Sequence, residues 1–246
     1  MLCIRLFTAA VFFLISLSGC AIKERTEPVA STFIEDAPIE SKVDGIPFLH
    51  SWIAPHDQPL PYKSICIKPV RTDLIPNEMW RQSKGLAVSS EEEFQKDAVV
   101  IARYFRIRLI SELNTTQTKR FAIVDTPDKD SLVLEIAITE LVLSEPLIRA
   151  AALAAPFPGV DLALSAISDP YVSFAARFTS QEGSKLIATV ADRRFPPIRL
   201  IDLNKLRARS SAREIIANWA KQLAQAIQLD EFKKVQRNSW FSILPW

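Results

Sequence analysis

The chain has 246 residues, 30 basic against 28 acidic, and a formal net charge of +2, a balance that argues against nucleic acid as a partner. A hydrophobic content of 48% is ample for a core, and the length fits one domain once a leader and linker are set aside. Two of the 3 cysteines fall in the first 20 residues, which leaves Cys66 alone in the body of the chain and no internal disulfide to hold the fold.

The chain opens with Arg5, an uncharged run over residues 6–17, and then Leu17-Ser18-Gly19-Cys20. A positive start, a short apolar run and small residues at a cut site make a signal peptide. The run is shorter than the roughly 20 apolar residues that a retained membrane span needs. A plain secretory signal would leave Cys20 as a coincidence at the cleavage point. The Leu-Ser-Gly-Cys sequence resembles the lipobox of bacterial lipoproteins. That resemblance implies removal of residues 1–19, a thioether-linked diacylglycerol on Cys20, and an acyl chain such as palmitate on the new amine. Several acyl chains on one residue anchor stably where one binds only marginally. In the sorting pattern of such lipoproteins, an Asp after the Cys retains the protein in the inner membrane. Ala21 stands there, which points to the periplasmic face of the outer membrane.

Residues 20–46 carry Pro28, Pro38 and scattered Glu and Ser without a sustained period, and read as a flexible tether. As a coil such a segment spans roughly 30 Å, at about 6 Å times the square root of its length. Residues 47–246 then form the single domain. Residues 47–61 hold Phe48, Leu49, Trp52 and Ile53 between prolines, and are expected to lie on the domain as an ordered arm. Residues 62–70 read as the first strand, with Ile65 and Ile67 on one face. Cys66 between them suits a small core hydrophobe better than a reactive thiol, which needs a basic, exposed setting. Residues 71–89 form a loop containing Trp80.

Ser90 precedes Glu93 by three residues, which predicts a capping box opening a helix that ends near Asn114. Phe94, Ala98, Ile101, Phe105 and Leu109 follow at helical spacing, with Arg103, Arg106 and Arg108 off that stripe. Residues 121–125 are a short strand, Thr126-Pro127-Asp128 a turn, and residues 132–140 a long strand with Leu132, Leu134, Ile136 and Ile138 on one face. Residues 147–168 are Ala- and Leu-rich but interrupted by Pro156, Pro158 and Asp161, too broken to span a bilayer. They fit two short helices in a buried connection; a surface that meets a partner or a membrane, and a misread strand, are the alternatives. Residues 171–179 and 185–194 alternate and make a hairpin around Gln181-Glu182-Gly183-Ser184. Ser211, three before Glu214, predicts the start of a second long helix. The apolar residues 238–246, ending Trp240-Phe241-Ser242-Ile243-Leu244-Pro245-Trp246, are expected to dock on the domain.

Taken in order, His50-Ser51-Trp52, Lys68-Pro69-Val70, Phe121 to Thr126-Pro127, the strand 132–140, Ala191-Asp192-Arg193, Trp219-Ala220-Lys221-Gln222 and Leu244-Pro245-Trp246 resemble a family of bacterial lipoproteins, the domain of unknown function 3313. The resemblance covers nearly all of the chain after the signal. It implies a membrane-anchored envelope protein with a mixed α/β domain and brings no catalytic residues with it.

The search for chemistry in the residues is negative. His50 and His56 both lie in the arm, and no His-Glu-x-x-His or Cys-x-x-Cys spacing occurs, so neither a metal nor any other cofactor is expected. No Gly-x-Ser-x-Gly is present for a serine nucleophile, and 5 glycines allow no phosphate-cradling loop. Among the carboxylates, Glu135 falls opposite the Leu and Ile row in a solvated position, and Asp192 beside Arg193 and Arg194 suits an ion pair. No catalytic residue is assigned. The residues open to a partner or membrane are Leu147, Leu153 and Phe157 in the apolar stretch and Arg103 and Arg106 on the helix, although charge on a helix is usually a solvated face.

The expected fold is α/β of the α+β type: one domain, β-α-β-β-(helical connection)-β-β-α, with helices on one face of a mixed, largely antiparallel sheet. The expected function is a non-enzymatic envelope binding or assembly module. It would be held to the membrane through acylated Cys20 and would meet an envelope protein or cell-wall partner. The alternative is an envelope hydrolase that acts on glycan or lipid through carboxylates.

Overall fold

The computed structural model describes residues 32–34, 43–55, 61–83, 90–115, 120–143, 171–181, 185–196 and 208–228. They form one α+β domain. Its strands are β1 (His50–Ile53), β2 (Ser64–Ile67), β3 (Ala122–Val124), β4 (Ser131–Val142), β5 (Tyr171–Ser180) and β6 (Leu186–Arg194). Its helices are α1 (Met79–Ser83), α2 (Glu91–Thr115) and α3 (Ala208–Gln228).

The strands make one six-stranded sheet in the order β1-β6-β5-β4-β2-β3. The β1–β6, β6–β5 and β5–β4 pairs are antiparallel, and β2 runs parallel to both β3 and β4. A parallel return needs a long crossover, and α1 and α2 supply it between β2 and β3.

The long helix α2 forms where its cap and stripe predict. The backbone N–H of Glu93 donates to Ser90 Oγ at 3.2 Å, and Glu91, Glu92 and Glu93 complement the positive end of the helix dipole. Phe94, Ala98, Ile101, Phe105, Leu109 and Leu113 are buried against the sheet. On α3, Ile216, Trp219, Leu223 and Ile227 meet the same core. Both long helices therefore cover one face of the sheet. At its centre Phe105 stacks on Trp219, and Phe174 meets both, with ring centroids 4.6–6.2 Å apart.

Two irregularities re-aim side chains. In β4 the register slips between Ile138 and Glu140. The extra residue resets the alternation, so Ile138 and Leu141 both enter the helix-side core and Glu140 turns to the other face. At the far end of the sheet Phe178 pairs with Ala188 and Thr179 with Leu186, which leaves Ile187 as the extra residue of β6. Ile187 joins the core, and its carbonyl accepts from the N–H of Ala54 at 2.8 Å.

Several expectations need correction. The arm contains β1, which pairs with β6 through four residues. The strand expected over 62–70 is confined to Ser64–Ile67, and its continuation makes only an isolated bridge from Arg71 to Ala137. The loop around Trp80 holds α1, closed by Ser83, whose hydroxyl donates to the Met79 carbonyl and accepts from the N–H of Leu143. Helix α3 begins three residues before Ser211, so that serine lies inside the helix and is no cap.

Two described stretches within the expected tether, residues 32–34 and 43–46, lie against the domain. Thr32–Ile34 is a 3-10 turn that seats Phe33 on the sheet face opposite the helices. The reason is a row of small residues: Ala137, Ala175 and Ala191 stand side by side across β4, β5 and β6 and leave depth for a ring. The guanidinium groups of Arg177 and Arg71 lie 4.7 Å and 5.5 Å from the centroid of Phe33. The signal segment, Cys20, the stretch 147–168 and the tail 238–246 lie outside the described residues.

Candidate functional site

Strand alternation puts Asp192 and Arg194 on the helix side of β6 and Arg193 on the other. Asp192 is fully buried. Its Oδ2 accepts from Arg194 Nε at 2.7 Å and from Trp219 Nε1 at 2.9 Å, and its Oδ1 accepts from the N–H of Leu49 at 3.3 Å. Arg194 donates onward to Gln222 Oε1 at 2.6 Å and lies over the Trp219 ring. This group of side chains joins the arm, the sheet and α3. Nearby, His50 Nε2 lies 3.0 Å from Thr189 Oγ1. Three of the segments that carry the family resemblance are thus joined through β6: Ala191-Asp192-Arg193 bonds to Trp219-Ala220-Lys221-Gln222, and His50-Ser51-Trp52 pairs along the same strand.

On the opposite face, the slip in β4 brings Glu140 into one row with Ser173 and Arg193. Arg193 grips it from two nitrogens, Nε at 2.8 Å and Nη2 at 2.6 Å. The same guanidinium lies 5.3 Å from the Tyr171 ring. Burial raises the Tyr171 hydroxyl above its ordinary pKa of 10.0; the Glu140 charge adds to the rise and Arg193 opposes it.

Three further carboxylates among the described residues also have structural partners. Glu135, expected in a solvated position, is half-buried and receives Arg177 Nε at 2.7 Å. Asp128 Oδ1 accepts from the N–H of Asp130 and the hydroxyl of Ser131, which closes the turn before β4. Asp73 is held below the usual carboxylate range by its hydrogen bond from Arg71. Among the described residues no group of three or more His, Cys, Asp or Glu could hold a metal ion.

The opposite end of the sheet is different in kind. Where Ile187 bulges from β6, a pocket of about 120 Å³ lies beside the C-terminal half of α3. Trp52 and Ile53 of β1, Phe121, Ile187, Leu223 and Ile227 line it. Arg120 is at its edge, where its N–H donates to Gln228 Oε1 at 2.8 Å and its guanidinium lies over the Phe121 ring. The lining is apolar apart from that arginine, and a group of the size and character of an aromatic ring suits it, since an engineered apolar cavity of about 150 Å³ takes benzene.

Of the surface residues predicted for contact, two are described, and they are placed differently. Arg103 is exposed on α2. Arg106 turns inward, where Nε donates to the Ile67 carbonyl at 3.1 Å and closes the end of β2. Leu147, Leu153 and Phe157 lie outside the described residues. Cys66 is buried, and its thiol donates to the Asp125 carbonyl at 3.4 Å, as suits a core residue. Sequence reasoning missed the pocket, because its walls come from separate stretches of chain scattered from Ile46 to Ile227. The pairing of Asp192 with Arg194 had a signal in the two-residue spacing along a strand, and Glu140 had none.

No curated protein matches the chain. Among solved structures it is similar to a PelC dodecamer from Paraburkholderia phytofirmans, at 9% identity over 74% of this chain and 100% of that one, with a TM-score of 0.32. A point variant of the same PelC gives 10% identity over 73% and 95%, with a TM-score of 0.33. A protein from Xanthomonas campestris gives 10% identity over 72% and 90%, with a TM-score of 0.32. Likenesses this loose say nothing of what this chain binds or assembles with. The family model described as "Protein of unknown function (DUF3313)" matches residues 32–223, so the chain belongs to that family.

Proposed function

We propose that the protein is a lipid-anchored module of the bacterial envelope that works by binding rather than by catalysis. Its place is the periplasmic face of the outer membrane, held through acylated Cys20. Its partner is another component of the envelope. The observation that carries the reading is the contrast between the two ends of the sheet. A hydrolase that uses carboxylates needs a concave polar cleft with a pair of them open to substrate. Here Asp192, Glu140 and Glu135 are each engaged by an arginine, and the pocket that the described residues form beside α3 is apolar. The Leu-Ser-Gly-Cys segment and Ala21 support the anchor and its address. No helix among the described residues is long and apolar enough to cross a membrane.

Two measurements test the proposal. Metabolic labelling with a radioactive fatty acid should mark the wild-type protein and not Cys20→Ser, and labelled protein should fractionate with the outer membrane. Label on the mutant would sink the anchor. The purified domain, incubated with peptidoglycan and with phospholipid vesicles, should release nothing. Release of glycan fragments or fatty acid that Glu135→Gln or Glu140→Gln abolishes would establish the hydrolase instead.

A further inference from the structure

The pocket beside α3 lies where the described chain stops. Ile227 is part of its wall, and Gln228, the last residue of the helix, is tied to the Arg120 backbone at its rim. Eighteen further residues follow. Residues 229–239 include Asp230, Glu231, Lys233, Lys234 and Arg237, whereas residues 240–246 carry no charge and include Trp240, Phe241, Ile243, Leu244 and Trp246. A polar spacer that starts at the rim is thus followed by a stretch with three aromatic residues in seven.

We infer that this pocket is the seat of the chain's own residues 240–246, with an aromatic ring of Trp240, Phe241 or Trp246 as the plug. Reach is no obstacle: the 12 steps from Gln228 to Trp240 can cover up to about 40 Å, and the pocket begins beside Ile227. Size favours a ring over a lipid chain. A cavity near 150 Å³ holds the six carbons of benzene, and an acyl chain of a dozen or more carbons needs roughly twice that. The location also accounts for Ile53, an exposed large hydrophobe at the pocket edge of β1, whose cover would come from the tail. Docking there would bridge α3 to the edge strand β1 and close the apolar end of the domain. The inference is independent of the anchor and of the proposed function.

The test uses the mature full-length chain carrying Cys20→Ser. The photoreactive residue p-benzoylphenylalanine replaces Trp240 in one preparation and Trp246 in another. Irradiation should give intramolecular crosslinks to peptides containing residues 52–53, 120–121, 186–190 or 223–227. Crosslinks only to other parts of the domain, or only between molecules, would overturn the inference. In parallel, the intact chain should leave the apolar dye 1-anilinonaphthalene-8-sulfonate dim. The triple variant Trp240→Ser, Phe241→Ser, Trp246→Ser should brighten it several-fold, and a synthetic peptide of residues 229–246 should reverse the gain. Equal dye uptake by the intact chain and the variant, displaced by palmitate, would show a pocket open to foreign apolar ligands and refute tail docking. The crosslinks are read on a chain with a single tail substitution, so the assignment stands even if the triple variant proves unstable.

Discussion

Asp192 is the residue on which three parts of the protein converge. Its carboxylate is out of water and takes hydrogen bonds from Arg194, Trp219 and Leu49. Replacing one member of such a pair leaves the other charge buried and uncompensated, which typically destabilises by about 3–5 kcal/mol. Asp192→Ala should therefore lose stability on that scale in urea unfolding. Trp219→Phe, which keeps an aromatic ring but removes the Nε1 donor and part of the buried indole, should lose at least about 1–3 kcal/mol. Equal midpoints for Asp192→Ala and wild type would remove Asp192 from the structural centre. The ion pair at this aspartate was legible in the sequence, but its partner follows from geometry: two residues along a strand share a face, so Arg194 reaches Asp192 and Arg193 goes to Glu140. That second pair was hidden. It depends on the slip at Ile138, which no pattern of residue types announces.

At the scale of elements, α2 was the most readable part of the chain. Its cap, acidic first turn and long apolar stripe all point to the same helix, and agreement between local signals is what makes an element legible. Ser90→Ala should cost about 0.5–2 kcal/mol, because the Glu93 N–H loses its acceptor. Ser211→Ala should cost less, since that serine lies within α3 and caps nothing there. A larger loss at Ser211 than at Ser90, measured by thermal unfolding, would reverse this assignment. The short elements were not readable. β1 has four residues between prolines and owes its existence to the β6 edge it pairs with. α1 has five and closes through the Ser83 hydroxyl. Neither holds enough residues to show a period. The pocket is still less visible, because β1, the 120–121 turn, the β6 bulge and α3 must assemble before it exists.

For the molecule as a whole, the sheet has one face filled by two long helices and another where a row of alanines lies between the Glu135–Arg177 and Glu140–Arg193 pairs. Phe33 is the described large apolar side chain buried over the alanine row of that second face. Phe33→Ala should lower stability by about 1.5–3 kcal/mol, the value of burying such a ring, while leaving the helix-side core intact. Near-ultraviolet circular dichroism should stay close to wild type, and unfolding should remain a single transition. No change in stability would mean that the ring contributes nothing where it sits. Where Cys20 carries lipid, this contact also sets how far the domain stands from the bilayer. With Phe33 seated, 13 residue steps separate the lipid from the sheet, a leash of at most about 45 Å at about 3.5 Å per residue. Beyond Phe33 the next contact among the described residues is at Val43, whose N–H donates to Ser51 Oγ at 2.8 Å. Release of Phe33 would lengthen the leash to 23 steps, about 80 Å. With the lipid anchor proposed above, one aromatic ring held between two arginines would thus act as a length stop on the reach of the domain from its membrane.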